Sequence, residues 1–166
     1  MNKAHYLIDG YNLLFWLLRG ESPFLRKNRE RAIAQLADLF EFLPFRITLV
    51  FDSHKEREHS PLPGHFRYLE IIYTDRDQSA DDYILQMIAT SPKPQQIILI
   101  TSDRELASQA RARGARVEDR SHLFSLIKRK KGGEEPSEEM PVDSRREIQR
   151  LLRIFKEKLE LGNLEE

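Results

Sequence analysis

The chain has 166 residues, no net formal charge and no cysteine. This length suits about one domain with a core of its own, and the lack of cysteine excludes disulfides and thiolate metal sites. A hydrophobic content of 40% beside a charged content of 33% is typical of a soluble globular protein.

Apolar runs rich in Ile, Leu and Val alternate with segments of helical periodicity, which predicts an α/β fold with a mostly parallel sheet covered on both faces. Strands are predicted at Ala4–Asp9, Arg46–Asp52, Phe66–Thr74, Gln96–Ser102 and Ala115–Glu118. Helices are predicted at Asn12–Leu18, Asn28–Leu43, from Ser79 to just before Pro92, from Asp103 to Gly114, and at Ser121–Lys130. The polar stretch His54–His65 is predicted to be a loop.

The composition changes near residue 130. We predict a domain at residues 1–130, a linker at residues 131–142 and a C-terminal amphipathic helix at residues 143–166. From Lys131 to Pro141 the chain carries two glycines, two prolines and four glutamates, a pattern typical of a flexible linker. Beyond it an apolar stripe recurs at helical spacing: Ile148, Leu151, Leu152, Phe155 and Leu159. This stripe packs either on the domain or on a partner, as a dimerisation or docking surface.

No segment has the pattern of a secretion signal or a membrane anchor. The first residues run directly into a strand-like segment, and the longest apolar run, Leu13–Leu18, is far too short to span a bilayer. We therefore expect a soluble, cytoplasmic protein with no membrane partner.

Three aspartates close predicted strands and a fourth opens a predicted helix. Asp9 and Asp52 end the first and second predicted strands, Asp103 directly follows the fourth, and Asp81 lies at the start of the helix after the third. Because ligands bind outside the carboxyl ends of parallel strands, the four carboxylates are expected to share one edge of the sheet. Their mutual repulsion favours a divalent cation there, and hard oxygen ligands select Mg²⁺ or Mn²⁺. The pattern indicates metal-assisted cleavage of a phosphodiester.

Each aspartate also has a structural interpretation. Asp9 precedes a glycine in a common turn pair, and Asp52 could simply end a strand. For the helix after Asp103, the spacing of Ser102 and Glu105 predicts a capping box, so that Asp103 is not needed as the cap. The convergence of several strands that end in Asp favours the functional interpretation over coincidence.

Asp81 is the most informative of the four. Ser79 and Asp82 have the spacing of a capping box, which gives Asp82 a structural role. Asp81 instead shares its helix face with apolar residues at i+3, i+4 and i+7, so its carboxylate is predicted to point inward. Burial of an unpaired charge is costly, and a bound cation would compensate it.

The neutral total hides an uneven charge distribution. From Arg104 to Lys131 there are nine Lys or Arg against three Asp or Glu, a balance of +6; from Glu134 to Glu166 there are six bases against ten acids, a balance of −4. The basic segment could steer a polyanion toward the acidic site. The alternative is a solvated helix face.

Five short segments carry the four acids and their neighbours: Ile8–Asn12, Val50–His54, Tyr73–Thr74, Ser79–Ile84 and Thr101–Asp103. In this order they resemble the YacP-like branch of the NYN domain, within the PIN-like nuclease superfamily. The resemblance covers about Ala4 to Lys130. It implies a PIN-like three-layer α/β/α sandwich and the active site of a metal-dependent ribonuclease. Some members of this branch are ribosome-associated endoribonucleases that cut messenger RNA.

The resemblance also implies a set of site residues. The catalytic residues carried over are Asp9, Asn12, Asp52, Asp81 and Asp103. Of these, Asp9, Asp81 and Asp103 would hold one Mg²⁺ or Mn²⁺, directly or through water, with Ser102 and Asp82 as supporting residues. From the basic segment, rather than from the resemblance, we predict that the RNA backbone is held by Arg104, Arg111, Arg113, Arg116, Arg120 and Lys128.

Gln78 departs from the family pattern, because it stands where the family often has Glu. This keeps open the alternative of a catalytically weak or inactive RNA- or ribosome-binding module on the same fold. The apolar stripe of the final helix keeps open another, an interaction protein that acts through that helix. The expected partners are RNA, messenger RNA in particular, and the ribosome.

Overall fold

A computed structural model describes residues 4–18, 20–41, 43–53, 64–66 and 69–132, and at residues 64–66 and 128–132 it describes the backbone alone. The predicted C-terminal helix at residues 143–166, most of the predicted linker, and most of the predicted loop His54–His65 lie outside the described residues. The chain divides into two compact units, residues 1–120 and residues 121–166.

Six strands and five α-helices form in the described part of the chain. The strands are β1 (His5–Asp9), β2 (Arg46–Phe51), β3 (Gly64–Phe66), β4 (Leu69–Tyr73), β5 (Ile97–Ile100) and β6 (Arg116–Glu118). The helices are α1 (Gly10–Leu18), α2 (Arg26–Phe40), α3 (Ala80–Thr90), α4 (Arg104–Ala112) and α5 (Arg120–Gly132). A single 3₁₀ turn at Pro94–Gln96 precedes β5. Each element predicted in this part of the chain is present, with shifted ends.

The strands form one sheet in the order β3-β4-β2-β1-β5-β6. All neighbours from β4 to β6 pair in parallel, whereas β3 pairs antiparallel with β4. The prediction of one strand from Phe66 to Thr74 is therefore wrong at its start, since the regular strand begins at Leu69. Pairing with β3 satisfies backbone groups that β4 would otherwise present at an open edge.

Both faces of the sheet are covered, as the continuous apolar strands predicted. Leu7, Val50 and Leu99 pack with residues of α3 and α4 in one buried cluster. Side chains alternate along a strand, and Phe51 accordingly turns to the other face, where its ring meets Tyr11 of α1. The sheet is thus the middle layer of three.

Helix α4 ends as its sequence predicts. It stops at Ala112, and Gly114 follows with a φ of +94° that side-chain-bearing residues rarely adopt. The backbone N–H of Gly114 donates to the carbonyl of Arg111 and closes the last turn. In the second unit the structure describes the rest of α5, where the Ser125 hydroxyl donates to the carbonyl of Ser121. Across the described residues, no helix is long and apolar enough to cross a bilayer.

Candidate active site at the carboxyl edge of the sheet

The parallel strands bring the predicted acids to one edge of the sheet. Asp9 is the last residue of β1, Asp52 directly follows β2, and Asp103 lies three residues beyond β5. These three strands are neighbours, so their carboxyl ends lie side by side. Asp81 is the second residue of α3, which starts at the same edge because it follows the parallel strand β4.

Asp9 holds the first turn of α1. Its Oδ1 accepts a hydrogen bond of 3.3 Å from the backbone N–H of Asn12, the contact that an N-cap makes. Gly10 continues from the strand directly into the helix, which overturns the turn-pair interpretation of Asp9 with its glycine. A Cβ at Gly10 would lie 2.5 Å from Cε1 of Phe51, so the junction requires a residue without a side chain.

Asn12 links the end of β1 to the end of β5. Its Nδ2 donates to Oγ of Ser102 over 3.1 Å, and this hydroxyl lies 3.3 Å from Asn12 Oδ1. Asn12 is partly buried and Ser102 is exposed. The contact positions the amide of Asn12 and the hydroxyl of Ser102 close in sequence to the two acids, Asp9 and Asp103.

Asp103 is the N-cap of α4, so the predicted capping box of Ser102 and Glu105 is wrong. The backbone N–H groups of Glu105 and Leu106 donate to Asp103 Oδ1 over 2.9 and 3.0 Å. The helix begins one residue later than a Ser102 cap requires, and Ser102 is turned to Asn12 instead. Both capping bonds go to Oδ1, so Oδ2 takes no part in the cap.

Two buried threonines support the acidic loops, and sequence analysis assigned them no role. Oγ1 of Thr74 accepts from the N–H of Ser53 over 3.3 Å, and the Thr74 N–H donates to the Phe51 carbonyl, so both neighbours of the buried Asp52 are held by the end of β4. Likewise Oγ1 of Thr101 accepts from the N–H of Asp103 over 3.1 Å. Their position at strand ends, beside acids, is a signal that could have identified them.

Helix α3 begins as its sequence predicts. Ser79 is the N-cap, and its Oγ accepts from the N–H of Asp82 over 3.1 Å. Asp82 is exposed, whereas Asp81 is partly buried next to the buried residues Ala80 and Ile84. Asp81 is therefore only partly removed from water. The amide of Gln78 donates to the side chain of Gln86 over 2.8 Å.

The backbone makes this edge favourable for anions. Helices α1, α3 and α4 all begin here, and the N-terminus of a helix carries partial positive charge and N–H groups that favour carboxylates and phosphates. This potential lowers the cost of placing several aspartates together.

The structure places the five predicted RNA-binding arginines at two opposite edges of the sheet. Arg104 opens α4 and Arg120 opens α5 after the end of β6, so both lie at the carboxyl edge. Arg111 and Arg113 lie at the last turn of α4 and just beyond it, and Arg116 starts β6; these three lie at the opposite, amino edge. The side chain of Lys128 lies outside the described residues.

The donors at this edge suit a hydrated magnesium or manganese ion. Within the described ranges, no three His, Asp or Glu side chains lie close enough to hold a metal ion together, so Asp9, Asp81 and Asp103 do not form a preformed cage. Carboxylates, the Asn12 amide and the Ser102 hydroxyl are nevertheless hard oxygen donors. Mg²⁺ usually keeps several waters and binds through one or two carboxylates plus substrate phosphate. The residues fit that mode.

A fully buried arginine lies close to the site, and sequence analysis missed it. Arg29 of α2 donates from Nη1 to the Phe24 carbonyl over 3.3 Å, and its Cζ lies 5.8 Å from the ring centroid of Tyr73, the last residue of β4. It shares a helix face with the buried residues Ala32, Ile33 and Leu36. The periodicity that singled out Asp81 could have identified Arg29 as well.

Two solved structures share this fold. The crystal structure of Rae1 (YacP) from Bacillus subtilis superposes with a TM-score of 0.59 at 22% identity, covering 96% of this chain and 85% of that chain. A single-residue variant of that protein superposes with a TM-score of 0.59 at 21% identity, covering 78% of each chain. The likeness confirms the predicted PIN-like α/β fold. Comparison with curated protein sequences gives no match.

A family model covers most of the sequence. The model described as the YacP-like NYN domain matches residues 6–161, from β1 to well beyond Lys130, where the resemblance noted from the sequence ended. It includes each segment that carries an acid of the candidate site. The chain therefore belongs to the family of YacP-like NYN domains.

Proposed function

We propose that this protein is a metal-dependent endoribonuclease that hydrolyses phosphodiester bonds of RNA, with messenger RNA in association with the ribosome as its substrate. Membership of the YacP-like NYN family supports a nuclease-type, RNA-related function. The observation that carries the proposal is the arrangement of Asp9, Asp52, Asp81 and Asp103 at the carboxyl edge of neighbouring parallel strands and their helices. The choice of messenger RNA and of the ribosome rests on the family resemblance alone.

The chain's own residues would bind and orient the RNA. The N-termini of α1, α3 and α4 favour a phosphate at this edge, and Arg104 and Arg120 add side-chain charges that hold a backbone without reading its sequence. Asn12, oriented by Ser102, would fix the direction of a bound phosphate oxygen or of the attacking water.

Asp9, Asp81 and Asp103, through one oxygen each or through water, would hold the Mg²⁺ or Mn²⁺, and Asp52 would complete the set. When bound, such an ion neutralises charge on the phosphate and lowers the pKa of a bound water. Thr74 and Thr101 would keep the loops around Asp52 and Asp103 rigid.

One observation favours the second candidate, an RNA-binding module without catalysis. Asp9 and Asp103 each use Oδ1 for a backbone N–H, so both have a structural role that needs no metal. Gln78 also replaces a carboxylate that the family often has. The two functions differ in whether RNA is cut. Cleavage assays of the parent and of variants at the neighbouring residues Asp81 and Asp82 decide between them.

The test is incubation of defined single-stranded RNAs with the protein in Mg²⁺, in Mn²⁺ and in EDTA. We expect cleavage in metal and none in EDTA, and we expect Asp81→Asn to reduce the rate about 100-fold or more. Asp82→Asn is the matched control, since Asp82 is exposed and its backbone rather than its side chain meets Ser79. It should keep the parent rate and lose about 0.3–1 kcal/mol of stability at most.

Equal cleavage by the parent and by Asp81→Asn would refute the site assignment. RNA binding by both chains without cleavage in either metal would instead establish the binding module.

A further inference from the structure

An aromatic side chain is exposed on the helix that begins at the candidate site. Phe15 of α1 is 51% exposed and Leu25, before α2, is 43% exposed, and these are the large apolar side chains left open in the described part of the chain. The ring of Phe15 meets that of Phe24 edge to face, with centroids 5.3 Å apart and an interplanar angle of 80°. This contact fixes one side of Phe15, while about half of the surface of the residue stays open to solvent.

Phe15 is the outer end of a continuous row of rings. Phe24 contacts Tyr11 at 5.1 Å, and Tyr11 contacts Phe51 at 5.1 Å. Phe51 in turn stacks with Tyr73 at 5.3 Å between centroids. The inner rings are anchored on β2 and β4, so Phe15 is held in place before any ligand arrives, and little side-chain entropy is lost on binding.

The row lies beside the acids. Phe15 is the sixth residue of α1, which starts directly after Asp9, so it lies about 7.5 Å along the helix axis from Gly10. The guanidinium of Arg120 lies over the ring of the next residue, Trp16, with Arg120 Cζ 4.9 Å from the ring centroid. An exposed aromatic residue and a cation therefore follow closely on the start of the helix at the candidate site.

The exposed apolar area favours a small planar ligand over a protein. Even counted together, the exposed parts of Phe15 and Leu25 offer only about 200 Å², whereas a specific protein interface buries about 1,200–2,000 Å². Stacking on one base requires only a single ring face.

We propose that Phe15 stacks an unpaired base of the RNA beside the phosphodiester that is cut, while Arg120, supported by Trp16, faces a neighbouring backbone phosphate. This inference rests on the proposed ribonuclease function and adds a requirement to it: the substrate is single-stranded at that nucleotide.

The test uses the full chain in EDTA, which keeps the RNA intact, and titrates it with a single-stranded RNA and with the same sequence as a duplex. Trp16 is the one tryptophan of the chain, so its fluorescence reports binding next to Phe15, and the anisotropy of labelled RNA gives the affinity. Phe15→Leu keeps apolar bulk against Phe24 without a π face, Phe15→Tyr keeps the ring, and Leu25→Ala is the exposed apolar control.

We expect Phe15→Leu to weaken single-strand binding by about 5- to 150-fold, the loss of one stacked base, and to raise KM in Mn²⁺ with kcat little changed. Phe15→Tyr and Leu25→Ala should bind like the parent, and duplex binding should not respond to Phe15. Unfolding midpoints of all variants identify any general loss of fold.

If Phe15→Leu binds and cleaves RNA like the parent, the stacking proposal is overturned and the ribonuclease stands. If the parent itself neither changes its fluorescence with RNA nor cuts it, the proposed function fails, and the stacking proposal fails with it. A change in molecular mass for Phe15→Leu at unchanged RNA affinity would show a protein contact and overturn the proposal as well.

Discussion

The side chains of Asn12 and Ser102 are hydrogen bonded over 3.1 Å although 90 positions separate them in sequence. The contact joins the first turn of α1, which directly follows Asp9, to the loop before α4, which contains Asp103. The two residues are recognisable in the sequence as neighbours of Asp9 and Asp103. Their contact follows from the parallel pairing of β1 with β5.

Removal of this contact should affect activity more than stability. Ser102 is exposed, so we expect Ser102→Ala to lower the free energy of unfolding by about 0.5–1.5 kcal/mol, the net contribution of one hydrogen bond. Cleavage should slow, since the Asn12 amide loses the partner that orients it. Ser108→Ala, an exposed serine of α4, is the control. Identical cleavage rates for the two variants would show that the contact has no role in the reaction.

Two substitutions of Asp103 separate its role as an N-cap from its proposed role in catalysis. Asn is about as good an N-cap as Asp, whereas Ala at an N-cap costs about 0.5–2 kcal/mol. Asp103→Asn should therefore unfold like the parent in denaturant, and Asp103→Ala should be less stable. Both should lose RNA cleavage, because neither carries the charge. Full cleavage by Asp103→Asn would reduce Asp103 to its capping role.

The junction of β1 and α1 should tolerate no side chain. In Gly10→Ala the new methyl group would lie 2.5 Å from Phe51 Cε1, closer than such atoms pack, and we expect a loss of about 1–3 kcal/mol in unfolding free energy from overpacking. Phe51→Leu removes the ring, so the double variant should lose less than the sum of the two single variants. Strict additivity would mean that the clash is relieved elsewhere.

The amino edge of the sheet contains a polar network that should make stability depend on pH. Nε2 of His5 lies 2.8 Å from Oγ1 of Thr48, and Arg46 pairs with Glu70 over 2.7 Å. Burial, assisted by the charge of Arg46 and opposed by that of Glu70, lowers the pKa of His5 from 6.5 to about 4. The imidazole is thus neutral in the folded protein at neutral pH.

The lowered pKa of His5 makes the folded protein less stable in acid. Between pH 6.5 and pH 4 the unfolded chain binds a proton at His5 that the folded chain does not, so folded stability falls as the pH falls through this window. His5→Gln should lose less stability than the parent when denaturant unfolding is compared at pH 7 and pH 4.5. Above pH 7 both chains should show the same slope, which is the internal control. A parallel decline of both below pH 6.5 would contradict the lowered pKa.

Much of the fold and the place of the site could be predicted because they depend on local patterns. Apolar runs identify β1, β2 and β5, and the residues that end them, Asp9 and Asp52 among them, must meet at one edge. The N-cap of α4 was harder to predict, because a shift of one residue in the start of the helix changes the N-cap from Ser102 to Asp103. The antiparallel strand β3 was missed although it pairs with β4 over only a few residues, Phe66 with Leu69 and Gly64 with Ile71, because the polar stretch with its prolines and Gly64 indicated a loop.

The positions of the arginines along α4 are predictable from the fold class. In alternating strand and helix topology a helix runs back across the sheet, so the first and last turns of α4 lie at opposite edges. Arg104 and Arg111 therefore could not both flank the acids. The buried Arg29 was identifiable in the same way from its apolar neighbours on α2.

Helices α1, α3 and α4 start beside the aspartates of the candidate site, and the electrostatic potential of their first turns belongs to the main chain. No side-chain replacement can remove it. Variants in which acids become amides should thus lose repulsion toward a polyanion while this attraction persists, and chains unable to cut could hold their nucleic acid longer than the parent. Such chains would be suitable baits for recovering the natural target from cells.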